Sequence, residues 1–416
     1  MLHRRFLRFA SILAAFALLL AVAACSGPRM VPAPLGPPQP PSAAPKLPPT
    51  VPGSPIRAEP LPPPETGQLK VGVLLPLSGP NAELGKAMLE AAQLALFATS
   101  GERLTLVPRD TAGPGGAAAA TRSAIADGAT LLLGPLLAAE VDAVRPIAAE
   151  ARVNVIAFAT QTQVAGRNIF LMGFLPRQEV AREVSFARER GLSRFGALAP
   201  STPYGRLMTD ALRETVGSAG GTVTKVEYLN PNGADTEAAV KRLLGPGGSP
   251  GGTPEAKVEF DALLLPLGGD QLKQTARQFK ALGAGAEKVQ LLGSGLWDDP
   301  SIAGEPALYG GWFAASPLDQ RRAFESRFQA TYGRPPPRLA SLAFDAAALA
   351  AALSTRERDP FSREAILNPS GFTGVDGLFR FTEQGLVQRG LAVLEVTPQG
   401  TRVIRPAPQS FRDLAF

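Results

Sequence analysis

The sequence predicts an α/β protein of two Rossmann-like lobes with parallel sheets, preceded by a disordered Pro-rich linker. Three observations carry this prediction. A strand-turn-helix step at Leu69–Gly85, LKVGVLLPLSGPNAELG, returns in similar order at Arg194–Gly205, RFGALAPSTPYG. Apolar runs of strand type alternate with helical stretches through most of the chain. The 416 residues, 45% hydrophobic and 19% charged, exceed what one core usually serves and have ordinary globular composition. Lobes of this kind bind ligands at the carboxyl ends of their strands, where helix N-termini offer unpaired N–H groups. Function is therefore expected between the lobes.

The N-terminus is set aside first. Arg4, Arg5 and Arg8 precede the apolar run Ile12–Ala24, which ends at Ala23-Ala24-Cys25. This reads as a secretory signal over residues 1–24 whose small residues before Cys25 resemble a bacterial lipobox, so Cys25 is the expected lipidation site and lipid the expected membrane anchor. Ser26 stands where an Asp would signal retention in the inner membrane, so the outer membrane is expected. From residue 25 to 67 the chain is a spacer. Sixteen of the 41 prolines lie between Pro28 and Pro64, with few large apolar residues among them. Such sequence cannot build a core; in polyproline II form, at about 3.1 Å per residue, it reaches on the order of 130 Å.

The alternation begins at Leu69. Strand Lys70–Pro76 leads to a helix over Ala82–Ala98, and strand Arg103–Pro108 to an Ala-rich helix over Ala117–Asp127. Strand Thr130–Leu133, a helix over Glu140–Glu150 and strand Val153–Phe158 follow. LTLV, TLLL and VNVIAF are near-continuous apolar runs, as parallel strands buried on both faces require. The second lobe repeats the pattern in helix Glu179–Arg190, strand Phe195–Ala199, helix Tyr204–Ser218, strand Thr222–Tyr228 and helix Thr236–Leu243. Strand Ala262–Pro266, helix Gln271–Leu282 and strand Val289–Leu292 complete it, and Gly245–Ala256, GPGGSPGGTPEA, reads as a solvated insertion.

Several chemistries are excluded. His3 is the only histidine and Cys25 the only cysteine, so a chain cut before Cys25 carries no His. Ser-His-Asp and Cys-His centres and His-containing zinc or haem sites fall away, and no disulfide can form within one chain. Neither G-x-S-x-G nor a Walker loop occurs, and none of the nine lysines lies three residues after a serine. No catalytic residue, cofactor or metal is expected, and the protein is read as not an enzyme. Removing Arg4, Arg5 and Arg8 from the 42 basic residues leaves 39 against 36 acidic, which gives no reason to expect nucleic acid.

From Leu69 to about Thr397 the chain resembles the type I periplasmic binding proteins of the Leu/Ile/Val class. The phrases that carry the resemblance are VGVLLPLSGPNAELG, LLLGPLLAAEVDAVRPIAAEARVNVIAFAT, ALAPSTPYGRLMTDALRE, LLLPLGGDQLKQTARQFKALG, LASLAFDAAALAAAL and GFTGVDGLFRFTEQGLVQRGLAVLEV, in that order. The resemblance implies lobes joined by three hinge crossings, placed near Gly173–Pro176, Gly293–Pro300 and Asn368–Val375, with Gly311–Leu353 returning to the first lobe. The N-terminal lobe then spans 68–174 plus 299–367, and the C-terminal lobe 175–298 plus 368–416.

The resemblance also implies a ligand cleft, for which the candidates are Ser78, Leu136, Ala159, Thr160, Tyr204, Trp297 and Asp298. Tyr204 matches the family's tyrosine in the loop after the second lobe's first strand, and Thr160 offers a hydroxyl from the first lobe. The stretch Leu136–Ala139 offers none, an expected aromatic near Leu84 is absent, and near Ser294-Gly295 this chain has neither Asp nor Glu for a ligand ammonium. Asp298 follows three residues later. An ammonium buried without a partner costs several kcal/mol, which argues against an ordinary amino-acid site. The LpoA-like penicillin-binding protein activator lipoproteins have the same fold, and GSGLWDDP, RLASLAFDA and TGVDGLFRFTEQGLVQR are similar to theirs. The leading expectation is thus a non-catalytic envelope lipoprotein that regulates peptidoglycan synthesis through a cell-wall synthase. The alternative is the substrate-binding protein of an ABC importer, working with an ABC permease on a branched-chain amino acid, an amide or a similar small polar ligand.

Overall fold

The computed structural model describes residues 68–99, 103–245 and 258–412. The signal segment, Cys25, the Pro-rich spacer and the Gly245–Ala256 insertion beyond Gly245 lie outside the described residues.

The first sheet is built from β1 (Leu69–Leu75), β2 (Leu104–Asp110), β3 (Ala129–Leu133), β4 (Asn154–Ala157) and β5 (Ile169–Leu171), all parallel in the order β2-β1-β3-β4-β5. Side chains of a strand alternate between faces, and here both faces are buried. Val71, Val73, Leu131, Leu133 and Ile156 enter one core. Leu74, Leu132, Val155 and Ala157 enter the other, beneath α2 (Gly116–Ala126) and α3 (Ala138–Glu150). The first core is covered by α1 (Ala82–Thr99) and by a much later helix, Ala340–Leu353, whose sequence ASLAFDAAALAAAL lets the two helices pack closely.

The second sheet repeats the plan. After α4 (Pro176–Glu189) come β6 (Arg194–Pro200), α5 (Pro203–Ser218), β7 (Thr222–Leu229), α6 (Thr236–Leu244), β8 (Ala262–Leu264), α7 (Gly269–Ala281) and β9 (Gln290–Leu292). Leu198, Leu263 and Leu291 face α6 and α7, and Ala197, Leu264 and Leu292 face α4 and α5. The two strand-turn-helix steps noticed in the sequence share one contact. A Cβ on Gly85 would lie 2.0 Å from the Pro76 carbonyl oxygen, and a Cβ on Gly205 would lie 1.9 Å from that of Pro200. Only glycine lets the first helical turn rest on the end of the preceding strand, so alanine costs more here through overlap than it gains in helix propensity.

Sheet membership moves two of the three crossings. After β9 the chain forms β10 (Trp312–Ala315), which pairs with β9 and so belongs to the second sheet rather than returning at residue 299. The chain then passes through Ser316-Pro317 into α8 (Leu318–Tyr332) and α9 (Ala340–Leu353), whose Phe324, Phe328 and Phe344 join the first core. Next, α10 (Arg363–Ile366) leads to the small antiparallel sheet β11 (Phe372–Gly374), β12 (Gly377–Phe381) and β13 (Val387–Arg389), whose Phe379, Phe381 and Val387 also join the first core. Residue 368 therefore does not begin the return. The chain crosses again at Gly390-Leu391 and adds β14 (Ala392–Thr397) and β15 (Gly400–Arg405), antiparallel, to the second sheet, which runs β15-β14-β10-β9-β8-β6-β7. The displacement has a physical reason. β14 is an apolar strand distant in sequence that completes the edge of β10, and local periodicity cannot report such a pairing.

Candidate functional site

A cleft of about 1070 Å³ opens where the three crossings meet, and each contributes to its lining: Phe174 from the first, Ser316 from the second and Leu391 from the third. The first lobe adds Asp142 of α3 and the loop Thr160–Val164 after β4. The second adds Glu179 of α4, the start of α5 with Tyr204 and Leu207, and the short turn carrying Gly295, Leu296 and Asp298.

Of the residues singled out in the sequence, Thr160, Tyr204 and Asp298 line this cleft, and four do not. Ser78 is exposed and bonds Asp110 through its side chain. Leu136 and Ala159 are buried in the first lobe's two cores. Trp297 is 0% exposed, and its Nε1 donates to the Leu265 carbonyl oxygen at 3.1 Å, which makes it part of the second lobe's core.

Tyr204 is presented by the first turn of α5, where the Thr202 hydroxyl accepts the Gly205 N–H at 3.1 Å as N-cap. Its hydroxyl bonds Ser294, and burial pushes it above the ordinary phenol value, so it is neutral and available to hydrogen-bond. Asp298 is already committed. It forms a two-pronged ion pair with Arg321 of α8 and lies 3.8 Å from Nε of Arg338. Both arginines come from first-lobe segments, so this charge cluster ties the lobes together at the hinge.

Arg338 stands at the centre of a buried network. It pairs with Asp376 at 2.7 Å, donates to Ser341 at 2.7 Å and Ser316 at 3.3 Å, and lies over the Phe174 ring at 4.1 Å from its centroid. Below it, Arg389 donates to the Met172 carbonyl oxygen at 2.9 Å. Asp345 accepts the Val375 and Asp376 N–H groups at 2.6 and 3.2 Å. Burial, reinforced by the neighbouring Asp376, pushes the Asp345 carboxyl up to about 7. Asp376 is buried as well, but Arg338 and Arg389 beside it hold it below the usual carboxylate range.

Sequence reasoning missed Glu179. It lies in the first turn of α4, just past the first crossing, and its Oε2 accepts the Gly295 N–H at 2.8 Å. A carboxylate thus lies at the Ser294-Gly295 turn, supplied by a helix distant in sequence. Burial pushes it up to about 7, with Asp298 adding to the effect and the Gly295 N–H and Arg338 opposing it. One turn on, Glu183 is fully buried, accepts the Ala314 N–H at 2.9 Å and is held well above the carboxylate range by desolvation. The sequence carries only a local trace of Glu179, an acid three residues after Pro176 at a helix start beside a crossing.

A two-lobed α/β frame with a cleft over three crossings has the geometry of a site between lobes, concave and mostly apolar with a few polar groups. The periplasmic binding protein family model matches residues 68–401, and the chain belongs to that family, with its type I fold. A comparison with curated protein sequences gives no match. Among solved structures, a protein of Rhodospirillum rubrum assigned to branched-chain amino acid ABC transport is similar at 21% identity and a TM-score of 0.70, over 81% of this chain and 100% of that one. An ABC transporter substrate-binding protein from Sphaerobacter thermophilus is similar at 24% identity and a TM-score of 0.65, over 82% and 98%. The branched-chain amino acid transporter substrate-binding protein of Streptococcus pneumoniae, in complex with isoleucine, is similar at 18% identity and a TM-score of 0.55, over 82% and 100%.

Proposed function

We propose that the protein is the substrate-binding component of an ABC importer, seating a small solute between its lobes and handing it to a permease. The observation that carries this reading is the cleft itself, in which Thr160 of one lobe faces Tyr204 and Glu179 of the other above all three crossings. Side chains contributed by both lobes are what a closing clamp needs, since each gains a partner only when the lobes meet on a ligand.

A calorimetric and thermal-shift screen over small polar solutes tests the reading. A true solute at 100 times its Kd is expected to stabilise the protein by about 2.7 kcal/mol. Tyr204→Ala is expected to weaken binding by more than the ~1 kcal/mol of an ordinary hydrogen bond, because the group it served is left buried and unpaired. A screen in which no solute shifts the melting temperature would overturn the proposal.

A second reading, a regulator of peptidoglycan synthesis of the penicillin-binding protein activator type acting on a cell-wall synthase, is favoured by one observation. Asp298 is already paired with Arg321 and Arg338, so the lobes are tied together without a solute. In that reading Tyr204→Ala leaves activity unchanged and the screen is empty.

Both readings include lipid anchoring at Cys25 and, from Ser26, an outer-membrane location. Cys25→Ala is expected to move the protein from the membrane to the soluble fraction. Native protein found freely soluble on fractionation would remove the anchor from the proposal.

A further inference from the structure

The cleft's charges narrow the ligand further, and this step rests on the solute-binding reading. On the first-lobe wall, α3 begins at the carboxyl end of β3, and its Asp142 lines the cleft. Such a helix start would ordinarily attract a ligand carboxylate. Here its first turn is closed from within, because the Glu140 carboxylate accepts the Leu137 N–H at 3.2 Å and sets a negative charge where an anion would dock. Arg145, the nearest cation on that helix, donates to the Val164 carbonyl oxygen at 2.6 Å and lies 3.7 Å from Asp142.

The other cleft charges are accounted for one by one. Arg338 is held by Asp376, Ser341 and Ser316, and Asp298 by Arg321. Asp210 pairs with Arg213 at 3.0 Å, and Arg206 stands exposed at the lip, where solvent screens it. Glu179 is different. Its Oε2 accepts the Gly295 N–H, and it lines the cleft from a half-buried position; among the described residues no hydrogen bond engages its Oε1 and no cation pairs with it. Beside it are the neutral Tyr204 hydroxyl and the exposed apolar side chains of Leu207 and Leu296, 38% and 47% exposed.

We infer that the solute is a small organic cation without a carboxylate, an amine or amidine with a short apolar body, whose positive head pairs with Glu179. A zwitterionic amino acid or an aromatic acid would bring its carboxylate to a wall that carries Asp142, beside a helix start already taken by Glu140, with the exposed and solvent-screened Arg206 as the one unpaired lining cation among the described residues. Leu207 and Leu296, both exposed on the cleft wall, then cover the apolar body.

The test is calorimetry with the purified protein, using isopentylamine and benzamidine as cations, leucine and isoleucine as zwitterions and 4-hydroxybenzoate as an anion. The cations are expected to bind at least tenfold more tightly than leucine. Their affinity is expected to rise about tenfold per pH unit up to pH 7 and to level off above it, because the apo Glu179 carboxyl, held up to about 7, must lose its proton to pair with them. Glu179→Gln keeps an acceptor for the Gly295 N–H and is expected to melt near the native temperature, while cation affinity falls at least tenfold and its pH dependence disappears. Tightest binding of leucine, isoleucine or 4-hydroxybenzoate would overturn the cation assignment and leave the solute-binding reading standing. Equal cation affinity in Glu179→Gln would do the same, and a panel in which nothing binds would overturn both.

Discussion

Arg389→Met is expected to destabilise the protein by about 3–5 kcal/mol, the cost of removing the buried cation that offsets two buried carboxyls. Arg389 is 5% exposed and lies beside Asp345 and Asp376, which are 1% and 0% exposed, at the third crossing. Methionine fills similar volume but removes the cation and its bond to the Met172 carbonyl oxygen. Typical domains have only about 5–15 kcal/mol in total, so urea unfolding should show a large shift of the midpoint. The effect has a pH signature. Asp345, held up to about 7 when folded, binds its proton more tightly than in the unfolded chain. Its contribution is therefore complete below the unfolded carboxylate value near pH 4 and is lost as pH rises to 7. Asp376, held low, has the opposite sign: its contribution is present above pH 4 and lost on acidification. Without Arg389 both carboxyls move upward, so the gap between variant and native protein should narrow from pH 8 to pH 5. A gap that stays constant across that range would show that the network does not act through charge.

Trp297→Ala is expected to cost about 3–5 kcal/mol, the range for emptying a buried aromatic site. The indole fills the space left by two glycines: a Cβ on Gly293 would lie 2.3 Å from its ring and one on Gly311 2.7 Å. Neither neighbour can move to fill the cavity, since their backbones continue β9 and lead into β10. Trp297→Phe is expected to cost less, through the smaller ring and the lost Nε1 bond to the Leu265 carbonyl oxygen, which keeps the Leu267 N–H at 2.8 Å. Solute affinity of the Phe variant should equal that of the native protein, because the side chain lies behind the cleft wall and not in it. A Phe variant of normal stability with weakened solute binding would return Trp297 to the cleft.

These cases show which features could be read from sequence. The strand runs were legible because both faces of each parallel strand are buried, which leaves a continuous apolar signature in LTLV, TLLL and VNVIAF. The paired steps at Gly85 and Gly205 were legible because the same close contact demands the same residues. Tyr204 was legible because its place after a strand and at a helix start is a local property. Glu179 was not, because its relation to Gly295 spans 116 residues and depends on α4 folding back across the second sheet. Trp297 and Asp298 are neighbours in sequence, which suggests a shared role. The turn Gly295–Trp297 then sends one inward to Leu265 and the other outward to Arg321. The second and third crossings were displaced because strand pairing, not composition, decides which lobe owns β10 and β14.

The two-sheet plan also constrains how the chain reaches its native state. The first sheet is complete by Leu171, yet the helix that covers one of its faces, α9, begins at Ala340 and is followed by the β12 phenylalanines of the same core. Until some 170 further residues exist, Val71, Val73, Leu131, Leu133 and Ile156 have only α1 to shield them. Neither lobe is a continuous stretch of chain, so neither can fold to completion and wait for the other. Long-range closure of this kind is slow and leaves apolar surface exposed in the interim. For this protein, folding is thus an event of the finished chain, and the period before α9 docks is when protection from self-association matters most.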